Sequence, residues 1–123
     1  MIAIVDYGCG NTGSLKNMLL RNGAEAEITS CKKKISEAAA IILPGVGAFD
    51  TCASRLEDSG LKSILNELVL EKEIPFLGIC VGMQLLFDSS EENGLTTGMS
   101  LLEGEVTLLK PNKNNSKNNL RLP

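Results

Sequence analysis

The run Ile74-Pro75-Phe76-Leu77-Gly78-Ile79-Cys80-Val81-Gly82-Met83-Gln84-Leu85-Leu86-Phe87 joins an apolar segment to an amphipathic one through a single cysteine. Residues 74 to 79 read as a strand buried on both faces, and residues 82 to 87 as the start of a helix with apolar side chains at near-helical spacing. The joint is too short for a loop. Gly78-Ile79-Cys80-Val81-Gly82 has the form of a nucleophile elbow, in which glycines two places either side make room for neighbouring backbone while the central side chain is pushed outward. Cys80 then stands at a helix N-terminus, where unpaired N–H groups favour negative charge, and the thiolate is the nucleophilic form of cysteine. The Val81 N–H is a ready oxyanion donor.

Cysteine is also among the most often buried residue types, so Gly-x-Cys-x-Gly alone is compatible with a plain core cysteine. The longer run Gly78 to Leu86 resembles the active-site segment of the class I (triad) glutamine amidotransferases, especially the glutaminase subunits of imidazole glycerol phosphate synthases of histidine biosynthesis. That resemblance makes Cys80 the expected nucleophile.

With 123 residues and 43% apolar content, the chain can form one domain with a modest core. Its net charge of -3 is spread without a block that would suggest a nucleic-acid or membrane partner. The N-terminus, Met1-Ile2-Ala3-Ile4-Val5-Asp6, has no basic n-region, and no apolar run approaches the roughly 18 residues of a membrane span, so a cytoplasmic location is expected. Cysteines 9, 31, 52 and 80 are far apart, with no Cys-x-x-Cys pair for zinc, and are read as thiols. The chain contains no histidine.

Ile2 to Val5 is a short buried strand by its β-branched content, followed by turn chemistry in Asp6-Tyr7-Gly8-Cys9-Gly10-Asn11. Ser14 is expected to cap a helix over Leu15 to Asn22, with Leu15, Met18 and Leu19 on one face and Gly23 as the stop. Gly8-x-Gly10 lacks the third glycine of the dinucleotide fingerprint, which excludes a cofactor site there. The segment resembles the N-terminal motif of the histidine-pathway glutaminases, although Thr12-Gly13 departs from the apolar and basic pair usual in them. The resemblance implies a loop near the partner subunit, with Asn11 as a partner contact.

Ala24 to Thr29 reads as a second strand, Lys32-Lys33-Lys34 as a charged surface turn, and Ala38 to Leu43 as a third strand. That strand stops at Pro44-Gly45-Val46-Gly47, where proline ends the ladder and two glycines permit close backbone approach. A plain strand-to-helix turn would look the same. The resemblance implies instead an oxyanion strand, with Val46 and Gly47 at the donor peptide and Gly45 beside the substrate. Residues 50 to 72 carry leucines at helical spacing interrupted by Ser59-Gly60, which predicts two helices or one kinked one.

Asp88 to Gly94 is polar and turn-rich, and Gly104 to Leu109 reads as a further strand. By resemblance Glu92 holds the glutamine ammonium and Gln84 contacts the substrate. Residues 110 to 123 hold five Asn, four basic side chains and no acid, so nothing there drives folding and poor order is expected.

Strand-helix alternation predicts a three-layer α/β/α fold with a mostly parallel open sheet, its ligand edge at the C-terminal ends of the strands. The resemblance covers nearly the whole chain but only the front of the family domain, so residues 1–123 are expected to be the N-terminal portion of a truncated amidotransferase domain. It implies glutamine hydrolysis through Cys80 without cofactor, with ammonia passed to a separate (β/α)8-barrel cyclase. The family's His and Glu are missing, so the fragment is expected to be inactive alone. A paralogue serving another acceptor, such as a sugar, and a non-catalytic partner-binding module fit the same pattern.

Overall fold

The computed structural model describes residues 1–109. The expectation of poor order in residues 110–123 lies outside the described residues. Four short strands, β1 (Ile2–Val5), β2 (Ala26–Thr29), β3 (Ala40–Leu43) and β4 (Phe76–Gly78), form a parallel sheet in the order β2-β1-β3-β4. Ile4 pairs with Ile28 on one side and Ile42 on the other, and Leu43 pairs with Gly78.

The connection from β1 to β2 runs through α1 (Thr12–Arg21) toward one edge. Those from β2 to β3 through α2 (Lys32–Ser36), and from β3 to β4 through α3 (Phe49–Ser59) and α4 (Lys62–Leu70), run the opposite way. Right-handed crossovers then put α1 on one face and α2, α3 and α4 on the other. The expected three-layer fold follows. The main core is on the second face, where Ala3, Val5, Ile41 and Leu43 pack with Ile35, Phe49, Leu56, Leu65 and Leu68. Alternation along the strands turns Ile4 and Ile42 to the α1 face. There Leu15 and Leu19 are half-buried and Met18, expected on the same stripe, is 49% exposed.

Several expected elements differ in detail. The α1 helix is capped by Asn11, whose Oδ1 accepts the Ser14 N–H at 3.2 Å, so Ser14 is inside the helix rather than its cap. Lys32 to Lys34 form the first turn of α2 instead of an open turn; all three are exposed, and Lys34 pairs with Glu27 at 2.5 Å. The break between α3 and α4 falls at Gly60 as expected, with φ 73 that glycine accepts without strain.

The segment 74 to 79 is not buried on both faces, because β4 is an edge strand of this sheet and Leu77 is 56% exposed. The helix expected over 82 to 87 is shorter: α5 covers only Val81–Gln84. Its continuation is blocked by the returning chain, since the carbonyls of Leu85, Leu86 and Phe87 accept from Met99, Leu101 and Ser100. The polar run after it carries β5 (Ser89–Ser90), which pairs antiparallel with β6 (Thr96–Thr97) and parallel with β7 (Glu105–Val106). The strand expected over 104 to 109 is thus reduced to two residues.

Candidate active site

Cys80 links β4 to α5 at φ 57 and ψ −122, a conformation that a non-glycine residue adopts only when its surroundings impose it. Gly78 and Gly82 make that geometry sterically possible. A Cβ on Gly78 would lie 2.7 Å from the Met83 Cα, and one on Gly82 would collide with the Leu43 carbonyl oxygen. The elbow read from the sequence is therefore formed, and the Cys80 side chain is exposed.

The third-strand loop packs directly against it. A Cβ on Gly45 would stand 2.5 Å from the Gly82 nitrogen and 3.0 Å from the Tyr7 hydroxyl, so only glycine fits. Gly45 is buried, while Val46 is 64% exposed and Gly47 turns the chain with φ 103. Gly10, Asn11, Ser14, Leu15, Pro44, Gly45, Val46, Ile79 and Cys80 line an open cavity of about 180 Å³. Both glycine-bearing loops thus meet Cys80 at the C-terminal edge of the sheet.

The amides of the elbow are not open, as the sequence suggests they should be. Val81 N–H donates to the Gly45 carbonyl at 3.2 Å, Gly82 N–H to Ile79, and the amides of Met83 and Gln84 to the Cys80 carbonyl. A one-turn helix folds its first N–H groups back onto the turn that starts it, leaving little to stabilise a thiolate or an oxyanion in this arrangement. In the same peptide the Gly45 carbonyl points at Val81, so a planar trans geometry turns the Val46 N–H the other way.

Gln84 and Glu92 come together, but in a separate cavity of about 460 Å³ that they line with Glu91, Asn93 and Val106 to Leu109. Glu92 is tied to the fold by the Phe49 N–H, which donates to its Oε2 at 3.4 Å at the start of α3. Asn11 borders the Cys80 cavity while its Oδ1 caps α1.

Sequence reading missed Tyr7, which is 6% exposed and donates its hydroxyl to the Pro44 carbonyl at 2.5 Å. Burial first, and then the nearby thiols of Cys52 and Cys9, push its phenol well above the usual range. Cys52, fully buried, donates to the Val46 carbonyl at 3.5 Å; burial and then the Cys9 thiol push it up to about 12. The one available signal was that Tyr7 is the only tyrosine in the chain and stands inside the Gly-rich motif.

An open parallel sheet with a strained cysteine elbow at its C-terminal edge defines an α/β protein whose loops gather over the strand ends. The family model for class-I glutamine amidotransferases matches residues 3–121, and the chain belongs to that family.

Similar curated proteins include the imidazole glycerol phosphate synthase subunit HisH 2 of Methanococcus maripaludis, 47% identical over 110 residues, which are 89% of this chain and 54% of the relative. The HisH subunit of Dehalococcoides mccartyi is 50% identical over 109 residues (89% and 53%), and that of Leptospira interrogans 40% over 116 (94% and 56%). The chain spans about half the length of these curated relatives. A crystal structure of a glutamine amidotransferase superposes with a TM-score of 0.73 at 23% identity, covering 87% of this chain and 56% of that one, which is a likeness of fold. Among the described residues, no helix is long and apolar enough to cross a membrane.

Proposed function

We propose that Cys80 is the nucleophile of a glutaminase that serves an imidazole glycerol phosphate synthase. The observation that carries this reading is the exposed Cys80 thiol, held at φ 57 beside a loop, Pro44 to Gly47, in which only glycine fits at position 45. In the proposed reaction the thiolate attacks the side-chain amide carbon of glutamine and the C–N bond breaks. Ammonia leaves with a proton, and water then hydrolyses the thioester to glutamate. The Val46 or Gly47 amide and the Val81 amide serve as oxyanion donors once the Gly45 carbonyl has moved off Val81. Gln84 and Glu92 hold the amino-acid end of the substrate. A base must activate the thiol and protonate the leaving nitrogen, and the 123 residues contain no histidine to do so.

The names of the relatives support a synthase subunit as partner. We place the partner, a (β/α)8-barrel cyclase, against the Asp6 to Asn11 loop and the Pro44 to Phe49 segment, where ammonia leaving Cys80 would otherwise be lost to solvent. The Val81 amide, taken up by the Gly45 carbonyl, favours a second reading, a partner-binding module without turnover.

The test is to treat the chain with an electrophilic glutamine analogue and map the adduct, and in parallel to measure ammonia release from glutamine. The expected result is an adduct on Cys80 that glutamine slows, without multiple turnover by the 123 residues. Absence of any glutamine-protected adduct would overturn the glutaminase reading and leave the binding module.

A further inference from the structure

Three consecutive carbonyls of the Pro44 to Gly47 loop are each held by a different part of the fold. Pro44 O accepts from the Tyr7 hydroxyl at 2.5 Å, Gly45 O from the Val81 amide at 3.2 Å, and Val46 O from the Cys52 thiol at 3.5 Å. Helix α3 provides more than the Cys52 contact. One turn beyond Cys52, the exposed Arg55 donates from its guanidinium to the Gly8 carbonyl. The loop so held bears on the same target, because a Cβ on Gly10 would stand 2.6 Å from the Pro44 Cβ and 3.1 Å from the Gly45 nitrogen. Cys9, from that loop, is buried in the same core cluster as Cys52. One face of α3 therefore grips the Pro44 to Gly47 loop twice, directly through Cys52 and indirectly through Arg55 and the Gly8 to Gly10 turn.

We propose that Arg55 and Cys52 are positioning residues that keep the Gly45 carbonyl seated on the Val81 amide and so keep the amide beside Cys80 covered. This rests on the reading of Cys80 as the nucleophile, since only then does covering Val81 matter to a reaction. The Gly45 carbonyl can leave Val81 in two ways, by rotation of its own planar peptide about the flanking ψ and φ or by displacement of the whole segment, and fixed neighbours close the second. Holding Pro44 O and Val46 O concentrates all freedom in the single Gly45–Val46 peptide. Loosening either grip lets the segment shift as a whole and uncovers Val81. Arg55 is suited to the outer grip because its guanidinium carries several donors and spans from the helix to the loop from an exposed position, where the contact can be released without opening the core.

The Val81 amide is itself the reporter, because its exchange with solvent requires the Gly45 carbonyl to leave. Residue-resolved amide hydrogen exchange is measured on the full chain and on Arg55→Ala, Arg55→Lys and Cys52→Val. In Arg55→Ala the Val81 amide is expected to exchange about fivefold faster or more, while core amides such as those of Ile4 and Ile42 keep their rates. Arg55→Lys, which retains a donor, is expected to recover part of the protection, and Cys52→Val to accelerate Val81 as Arg55→Ala does. Unchanged Val81 exchange in both Arg55→Ala and Cys52→Val, or acceleration spread evenly over the core, would overturn the proposal. Exchange needs no turnover. A chain that fails to react with glutamine analogues while Val81 responds to Arg55 therefore refutes the glutaminase reading and not the clamp.

Discussion

The Val81 amide donates to the Gly45 carbonyl at 3.2 Å, across 36 residues of sequence, and this one bond joins the two loops that meet at Cys80. It places a carbonyl dipole where a reaction proceeding through an oxyanion needs a donor. Electrostatic preorganisation works only when donors already point at the developing charge, and removing one such donor typically costs about 3 kcal/mol of transition-state stabilisation. The arrangement is therefore a resting one for the proposed chemistry, and what moves the Gly45–Val46 peptide sets when that chemistry can start.

The close approach at this junction makes its glycines unequal to others in the chain. Gly45→Ala would put a methyl 2.5 Å from the Gly82 nitrogen, backbone that cannot step aside. The expected loss is about 1–3 kcal/mol, as for overpacked cores. Gly13, inside α1 with nothing within 4 Å of a built Cβ, is the control. Gly13→Ala should stabilise the chain, by up to about 1 kcal/mol. Denaturant unfolding of the two variants measures both; equal effects would mean that the junction is looser than described.

Much of this architecture is legible in the sequence, for reasons that are local. Ile2 to Val5 and the stretch ending in Leu43 announce buried parallel strands by β-branched and apolar runs, and Pro44-Gly45 and Gly78-x-Cys80-x-Gly82 mark the places where strands end in close turns. The rest depends on partners distant in the chain. Asn11 rather than Ser14 caps α1, at the end of a loop whose Gly8 carbonyl is held by Arg55 on another helix. The shortness of α5 is set by Met99 to Leu102 capturing its carbonyls, and the occupied Val81 amide by Gly45. Periodicity has no access to such bonds. The elbow at Cys80 is legible because the glycines that permit it are its near neighbours.

The four thiols should separate into two classes under alkylation. Cys31 and Cys80 are exposed, whereas Cys9 and Cys52 are buried. Burial also pushes Cys52 up to about 12, which removes nearly all of its thiolate near neutrality. Labelling at pH 8 followed by peptide mapping should find Cys80 and Cys31 modified at least about 100 times faster than Cys9 and Cys52. A Cys80 slower than the buried pair would restore the reading of a core cysteine.

The same burial predicts how stability responds to alkali. Cys52 and Tyr7 are both held protonated in the folded chain, with pKa values above those of the unfolded chain, about 9 and about 10. Above pH 9 the unfolded state therefore releases protons that the folded state retains, so it binds fewer and stability falls as pH rises. The stability these groups confer is fully present below pH 9 and is lost from there toward 12 and beyond. Thermal unfolding between pH 8 and 11 should show this decline, and Cys52→Val should flatten it. Tyr7→Phe should flatten it too, at a cost of about 1 kcal/mol at neutral pH from the Pro44 hydrogen bond. A decline of the same slope in both variants would assign it to other groups.

Asn11 combines a structural task with a proposed one, and its two side-chain atoms allow them to be separated. Oδ1 caps α1 by accepting the Ser14 N–H, while the residue also borders the cavity of Cys80, Gly45 and Val46. Asn11→Asp keeps an acceptor at the cap, and a negative charge there suits the helix N-terminus, so stability should change by no more than a few tenths, about 0.3 kcal/mol. Asn11→Ala loses the cap and should cost about 1 kcal/mol. If Asn11 transmits partner binding to the Gly45–Val46 peptide, the transmitting group is its Nδ2, which both variants lack. In the complete protein both should then lose partner-stimulated glutaminase more than basal activity, although only Asn11→Ala is destabilised. Normal stimulation in Asn11→Asp would confine Asn11 to its capping role and move the coupling to the α3 contacts at Gly8 and Val46.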